Sequence, residues 1–294
     1  MKRFFGTNKL PEIDMSGKAL ERLANQTVNK GLTIPGVQKK MSLHLETVDK
    51  VARLTIVDHP TGYILKPQSE DFSNLPEAEF LSMKMAEIAG IKTVPNALLR
   101  FHKSYAYVTK RIDRTGEQAC AMEDFCQLSG RVTADKYRSS YENCGRVIKR
   151  YSHNVGLELT EFYYRLLFCF CTCNSDMHLK NFSLIEDQPG SRKFSLSAAY
   201  DMLPVNVIMP ADKEEMALTL NGKKRNLRAK DFLALAESLG IQEKTARGLM
   251  KQILRCEEAF VREVKASYVS DDMKDRLISM IQKRMEVLGS PSKL

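Results

Sequence analysis

The chain has 294 residues, enough for one large domain or two modest ones, and its 43% hydrophobic and 28% charged content is that of an ordinary globular protein. This composition excludes a mostly disordered chain, a coiled coil and a collagen-like fibre. The longest apolar run, residues 166–173, is too short to cross a membrane, and the N-terminus lacks the apolar core of a secretory signal. The net charge of +9 suits a polyanionic partner, whether nucleic acid, a nucleotide or a tRNA-bound protein, without choosing among them.

Taken in chain order, residues 16–30 read as a short polar helix ended by Gly31. Met41, Leu43 and Leu45 then alternate with Ser42 and His44, which is the period of a strand. Leu54 and Ile56, followed by Tyr63-Ile64-Leu65, predict two further strands around a His59-Pro60-Thr61-Gly62 turn. Asn74-Leu75-Pro76-Glu77 opens a helix, with a capping side chain, Pro in the first turn and Glu at the third position. That helix should stop at Gly90, and residues 94–112 read as two strands joined near His102 to Ser104. Residues 159–173 are apolar on nearly all sides, which predicts a buried central helix. Short strands follow at 181–185 and 194–198, then helices over 229–239, 243–267 and 271–288, two of them closed by Gly240 and Gly289. The fold class is α+β: a strand-rich lobe over 1–115, a mainly helical lobe over 116–294, and a hinge at 109–116.

The seven cysteines are an odd number, and no C-x-x-C occurs. Cys169, Cys171 and Cys173 are spaced two apart on a predicted helix, so they point to different faces and are poorly placed to share a metal. Buried free thiols in a reducing cytoplasm are the expectation.

The chemistry concentrates where the buried helix ends, in Cys173-Asn174-Ser175-Asp176-Met177-His178-Leu179-Lys180-Asn181. Asp201 follows twenty residues after Asn181, behind a second apolar segment. Phosphoryl transfer from ATP needs one carboxylate to accept or orient the hydroxyl proton, and an amide oxygen plus a second carboxylate to hold Mg²⁺. Asp176 can be the first, and Asn181 and Asp201 the others. Oxygen-only ligands suit that cation. Lys66, at the end of the strand Tyr63-Ile64-Leu65-Lys66, can supply positive charge to the phosphates. Each part alone is weak, because D-x-x-x-x-N arises by chance and a lysine after a strand is usually a solvated edge. The order of the parts is the stronger signal.

Gly31 and Gly36 have the spacing of the first half of a Walker A loop, but Val37-Gln38 stand where Lys-Ser/Thr should, and a strand follows instead of a helix. A P-loop is rejected. Phosphate contact through backbone N–H groups and an ordinary turn both stay open for residues 31–40.

Together these strings resemble the HipA-like serine/threonine kinases of bacterial toxin–antitoxin systems, from about Gly31 to Pro204. Ile34-Pro35-Gly36-Val37-Gln38-Lys39-Lys40-Met41-Ser42-Leu43 is similar to that family's loop, and Ile64-Leu65-Lys66-Pro67 to its nucleotide-lysine strand. Asn74 to Glu79 resembles its helix start, Arg111-Ile112-Asp113-Arg114 its hinge, and Glu123-Asp124-Phe125-Cys126-Gln127 its Q-E-D-F-C-Q string. Asn174 to Asn181 resembles N-x-D-x-H-x-K-N, and Ala199-Tyr200-Asp201-Met202-Leu203-Pro204 resembles A-Y-D-L-L-P.

The resemblance implies a two-lobed protein-kinase-like fold and a set of roles. Asp176 becomes the catalytic base, and Asn181 and Asp201 the Mg²⁺ ligands. Lys66 contacts the ATP phosphates, and Pro35, Gly36, Val37, Gln38, Lys39 and Lys40 form the phosphate-side loop. The backbone of Lys110, Arg111 and Ile112 holds adenine, Asp113 reaches the ribose, and His178 and Lys180 lie beside the nucleotide. The implied substrate is an aminoacyl-tRNA synthetase, and the implied partner a DNA-binding antitoxin. Only about 30 residues precede the loop here, as in the short HipT type, so a separate small subunit is expected in place of the N-terminal subdomain. Thr33 stands at the position of the family's autophosphorylated serine, which predicts self-inactivation through Thr33.

Two rivals stand beside this reading. One is an inactive kinase-fold module that binds antitoxin or nucleic acid, supported by the five bases of Asn221 to Lys230. That run lacks interleaved aromatics and any helix-turn-helix signature, so direct sequence-specific reading of DNA is not expected. The other is a small-molecule or lipid kinase, which would share the ATP half.

Overall fold

The structure is a computed structural model and describes residues 2–7, 11–13, 40–48, 51–57, 61–101, 104–115 and 118–290. The helix expected over 16–30, Thr33, Pro35 to Lys39, and the His59-Pro60 and His102 parts of the two turns lie outside the described residues. The chain divides into two compact units, Met1–Phe80 with Val94–Arg114, and Leu81–Thr93 with Thr115–Leu294.

Among the described residues, the first unit carries a six-stranded sheet. Its strands are β1 (Glu12–Ile13), β2 (Met41–Val48), β3 (Val51–Val57), β4 (Tyr63–Pro67), β5 (Asn96–Phe101) and β6 (Ser104–Lys110). They lie in the order β1-β3-β2-β4-β6-β5, parallel only between β1 and β3. The period-two pattern read in the sequence determines the faces. Met41 and Leu43 of β2, Tyr63 and Leu65 of β4, and Ala106 and Val108 of β6 share one core with Phe5, Leu54 and Leu99. Lys66 follows Leu65 and therefore leaves β4 on the opposite face. The helix α2 (Leu75–Ile88, after α1 at Lys2–Phe5) starts as the sequence predicts. Asn74 takes a left-handed backbone (φ 59°), and its carbonyl accepts the Ala78 N–H at 2.9 Å.

The second unit is built on α5 (Val155–Cys171), which follows α3 (Phe125–Leu128) and α4 (Tyr141–Tyr151). The buried helix starts four residues earlier than expected and stops at Cys171, with Cys173 beyond it. Phe162 meets Phe125, Tyr141 and Phe182, Phe168 meets Phe260, and Phe170 meets Phe232. Aromatic residues at nearly every turn explain why the segment is apolar all round.

A small antiparallel sheet joins β7 (Met122–Asp124), β8 (Ser183–Glu186) and β9 (Phe194–Leu196). Asn181 thus belongs to a short 3₁₀ turn (Leu179–Asn181) and not to the strand expected from 181. The strand expected over 194–198 ends at Leu196. A short α6 (Val205–Ile208) precedes α7 (Ala229–Leu239), closed by Gly240 at φ 81° as expected. The helix expected over 243–267 is two, α8 (Glu243–Leu254) and α9 (Glu257–Ala266), because the chain tightens where Cys256 N–H bonds to Ile253 at 3.0 Å. The last helix, α10 (Asp271–Gly289), includes Gly289 instead of being closed by it. No described helix is long and apolar enough to cross a membrane.

All seven cysteines are described and none is in a disulfide. Burial pushes the Cys169 and Cys173 thiols up to about 12, as inert interior groups require.

Candidate active site

In the first unit, Lys66 is only 3% exposed, and its ammonium lies 2.5 Å from the Glu79 carboxylate, which is fully buried in the second turn of α2. The Tyr107 ring, on the register partner of Lys66, lies 5.4 Å from the same nitrogen. A solvated edge lysine is therefore excluded. Taking two charges out of water is costly, and it persists only where each compensates the other. Glu79 was not singled out as a functional residue. The signal for it was present as the second glutamate of Pro76-Glu77-Ala78-Glu79, a lysine-bearing strand followed by a glutamate-bearing helix.

At the end of β6, Arg111 grips Asp113 with both arms of its guanidinium, at 2.9 and 2.5 Å. Burial alone would raise the Asp113 pKa, but the Arg111 hydrogen bonds and charge outweigh it and hold the carboxyl below its usual range. The N–H groups of Lys110 and Arg111 donate to Pro95 at 2.9 Å and Gly62 at 2.8 Å. Lys40 is exposed at the start of β2.

In the second unit, α5 ends in a reversal that delivers the polar loop. Asn174 N–H reaches back to Cys169 at 2.8 Å and Cys173 N–H to Phe170 at 3.3 Å, with Cys173 left-handed at φ 62°. Below the loop lies an aromatic floor. Phe182 stacks on Phe125 at 5.7 Å and meets Phe162 edge-on at 5.0 Å. The Tyr141 hydroxyl donates to the Met177 carbonyl at 3.1 Å. Met177 and Leu179 point into the core while Asp176, between solvent and loop, stays half-buried.

The loop is closed on itself. The Asn181 side-chain amide donates to the Asp176 carbonyl at 2.8 Å, and the Asp176 N–H donates to the Asn174 side chain at 3.2 Å. Ser175 donates to Asp212 at 2.7 Å and accepts from Asn206 at 3.1 Å. Lys180 pairs with Asp124 at 2.6 Å. Asp124 is also the N-cap of α3, sharing a reciprocal capping box with Gln127. This explains the Asp-Phe-Cys-Gln string: one aspartate caps a helix and anchors the loop's lysine, and the next residue is floor.

Asp201 is joined to the same loop through its neighbour. The Tyr200 hydroxyl donates to the Lys180 carbonyl at 3.1 Å and bonds the Ser183 hydroxyl at 2.6 Å. Asp201 itself has a left-handed backbone at φ 55°, an expensive conformation for a residue with a side chain. His178 is buried among these groups. Burial pushes its pKa down to about 4 against the pull of the Asp176 and Asp201 charges, so the ring is neutral near pH 7. Its Nδ1 has no hydrogen-bond partner among the described residues.

One contact was not foreseen. The Tyr137 hydroxyl donates to the Asp176 carboxylate at 2.5 Å, and its ring meets His178 edge-on at 4.9 Å. No motif marked Tyr137 in the sequence, because it lies outside every quoted string.

The structure thus gathers Asp176, His178, Lys180, Asn181 and Asp201 in one unit, and Lys66, Lys110, Arg111, Ile112 and Asp113 in the other. The basic run 221–230 is partly internal: Lys223 pairs with the buried Asp231 at 2.7 Å and Lys224 with Glu214 at 3.1 Å.

A sheet unit with a buried lysine–glutamate pair, together with a helical unit bearing an Asp-x-x-x-x-Asn loop, defines an α+β protein-kinase-like fold. The chain belongs to the family described as the HipA-like C-terminal domain, whose profile matches residues 32–260. It is 34% identical over 232 residues to the Sinorhizobium fredii protein named "Putative kinase Y4dM", covering 72% of this chain and 54% of that one. It is 25% identical to a Haemophilus influenzae protein named "Putative kinase", covering 95% and 88%. The chain spans about half the length of the two Sinorhizobium relatives it matches, at 54% and 48%.

Among solved structures, HipA of Shewanella oneidensis, in complex with HipB and operator DNA, superposes with a TM-score of 0.73 at 19% identity, covering 91% of this chain and 70% of that one. The Helicobacter pylori proinflammatory kinase CtkA gives 0.58 at 13%, covering 82% and 92%. Both likenesses are of fold.

Proposed function

We propose that the chain is an ATP-dependent serine/threonine protein kinase acting as the toxin of a bacterial toxin–antitoxin system. The observation that carries this reading is the closed loop in which Asn181 is fixed to the backbone of Asp176 at 2.8 Å. Such a loop keeps a proton-accepting carboxylate and an amide oxygen in constant relation, as phosphoryl transfer requires.

Asp176 is the general base: it takes the acceptor hydroxyl's proton as that oxygen attacks the terminal phosphorus of ATP, and the bond from that phosphorus to the bridging oxygen breaks, so that ADP leaves. The Asn181 amide nitrogen is already engaged, so its oxygen is the atom left for a cation. With the Asp201 carboxylate it would offer two hard oxygens, a donor set that fits Mg²⁺, an ion that keeps its other positions for water and phosphate. A cation held by these two residues would neutralise phosphate charge. Lys66 serves the phosphates, held extended by Glu79. His178, being neutral, and Lys180, anchored by Asp124, flank the nucleotide.

At the hinge, the backbone of Lys110 to Ile112 serves adenine, with the N–H groups of Lys110 and Arg111 anchored to Pro95 and Gly62, and Asp113 is the ribose contact. Pro35 to Lys40 form the phosphate-side loop. The strand-rich part up to 115 carries the phosphate-side loop and the nucleotide lysine, and the part from 116 carries the catalytic and metal-binding loops.

The finer assignments rest on the family. They are an aminoacyl-tRNA synthetase as substrate, a DNA-binding antitoxin as partner, a separate small subunit of the short HipT type, and silencing through Thr33. The Shewanella complex with HipB and operator DNA supports the antitoxin. Brief expression followed by phosphopeptide mass spectrometry tests the substrate: a phosphorylated synthetase supports it, and label confined to lipid or sugar contradicts it.

A further inference from the structure

We propose that Tyr137 is a positioning residue for Asp176: its hydroxyl holds one carboxylate oxygen so that the other is presented to the acceptor hydroxyl. The inference rests on the kinase reading above.

Three features of the structure carry it. The first is the contact, 2.5 Å from the Tyr137 hydroxyl to Asp176 Oδ1, a charge-assisted hydrogen bond of the strong kind. The second is the way Tyr137 is held. A tight turn precedes it, with Asp135 N–H bonded to Val132 at 2.9 Å and Lys136 N–H to Thr133 at 3.2 Å. The Leu179 N–H then donates to the Lys136 carbonyl at 3.2 Å, which ties the tyrosine's own backbone to the catalytic loop. The ring edge against His178 fixes its orientation, and the Lys136 ammonium lies 5.0 Å from its face. Thus the hydroxyl is built into the loop and does not merely rest on it.

The third is exposure. Tyr137 is 41% exposed, so its hydroxyl did not have to find a protein partner to leave water. Buried polar groups need partners for stability, whereas an exposed ring aimed at a proposed base points to function. The phenol is a donor here. Partial desolvation of the hydroxyl against the loop and the Asp176 charge both raise its pKa, so it keeps its proton and leaves Asp176 as the group that accepts one. A carboxylate without this tether rotates about its Cβ–Cγ bond, and fewer encounters find the free oxygen aligned.

The test compares wild type, Tyr137→Phe, p-aminophenylalanine at position 137, and Asp176→Asn. Initial rates of labelled phosphate transfer from ATP are measured to casein and to a panel of purified aminoacyl-tRNA synthetases. We expect Tyr137→Phe to lower kcat about 10- to 100-fold, as loss of one hydrogen bond to a charged group would, with KM for ATP and acceptor within about twofold of wild type. The melting temperature should hold, since the side chain is exposed. The aminophenyl variant keeps an N–H donor and should restore most of the rate.

An unchanged kcat in Tyr137→Phe, with Asp176→Asn inactive, overturns the proposal and leaves the kinase reading standing. A rise in kcat, or a fall in acceptor KM, also overturns it, because the phenol would then be competing with the acceptor. If wild type transfers nothing, or Asp176→Asn transfers normally, the kinase reading itself fails.

Discussion

Lowering the pH should remove stability through His178 in a window set by its burial. The folded ring titrates at about 4, whereas an unfolded histidine titrates near 6.5. Because the folded pKa is depressed, the unfolded chain takes up the proton first as pH falls. Stability from this group is therefore complete above about pH 6.5, declines below it, and is fully lost under about pH 4. The difference of about 2.5 units corresponds to about 3 kcal/mol in total, and to about 2 kcal/mol lost by pH 5. Asp176 and Asp201 oppose the depression and Lys136 adds to it, but desolvation is the largest cause.

Denaturant unfolding of wild type and His178→Gln at pH 7.5 and 5.0 isolates the effect, since carboxylates elsewhere titrate in both proteins. Wild type should lose about 2 kcal/mol more than the variant over that interval. A ring proton resonance titrating near pH 4 would agree. Parallel losses in the two proteins, or a ring midpoint near 6.5, would refute the reasoning.

Other consequences follow from the same geometry. Glu79→Leu removes the carboxylate that compensates a lysine 3% exposed and should cost about 3–5 kcal/mol, whereas adding Lys66→Met should recover most of the loss. Urea denaturation of the single and double variants measures both. Asp201→Gly keeps the left-handed backbone without strain, so its stability should lie within about 1 kcal/mol of wild type, while phosphoryl transfer disappears. Asp201→Val, with a branched side chain at φ 55°, should destabilise by more than the glycine variant in the same melts.

Much of the fold was legible because it rests on period. The alternation of Met41, Leu43 and Leu45 and the apolar run at 159–173 depend on burial of local faces, which sequence records directly. The helix α4 went unread although Ser140 caps it and Tyr141, Cys144, Val147 and Ile148 form a buried face opposite its charged residues, a pattern that the sequence does carry. The break at Arg255–Cys256 and the inclusion of Gly289 in α10 depend on tertiary contacts and hydrogen-bond tightening that no residue type announces.

At the site, the residues within the loop were legible from spacing. Their partners were not. Glu79 comes to Lys66, Asp124 to Lys180 and Tyr137 to Asp176 across 13, 56 and 39 residues of chain. Such pairings arise from the topology of each unit. They gave the lysine expected to serve the phosphates a buried carboxylate partner, and added a hydroxyl to the proposed base.

The central claim is that Asp176 serves phosphoryl transfer. It is tested most directly by following label from γ-labelled ATP into protein, with wild type and Asp176→Asn side by side. Labelled acceptor with wild type, and loss of at least about a thousandfold in Asp176→Asn while melting temperature and nucleotide binding persist, is the predicted result. Equal labelling by the two proteins would contradict it.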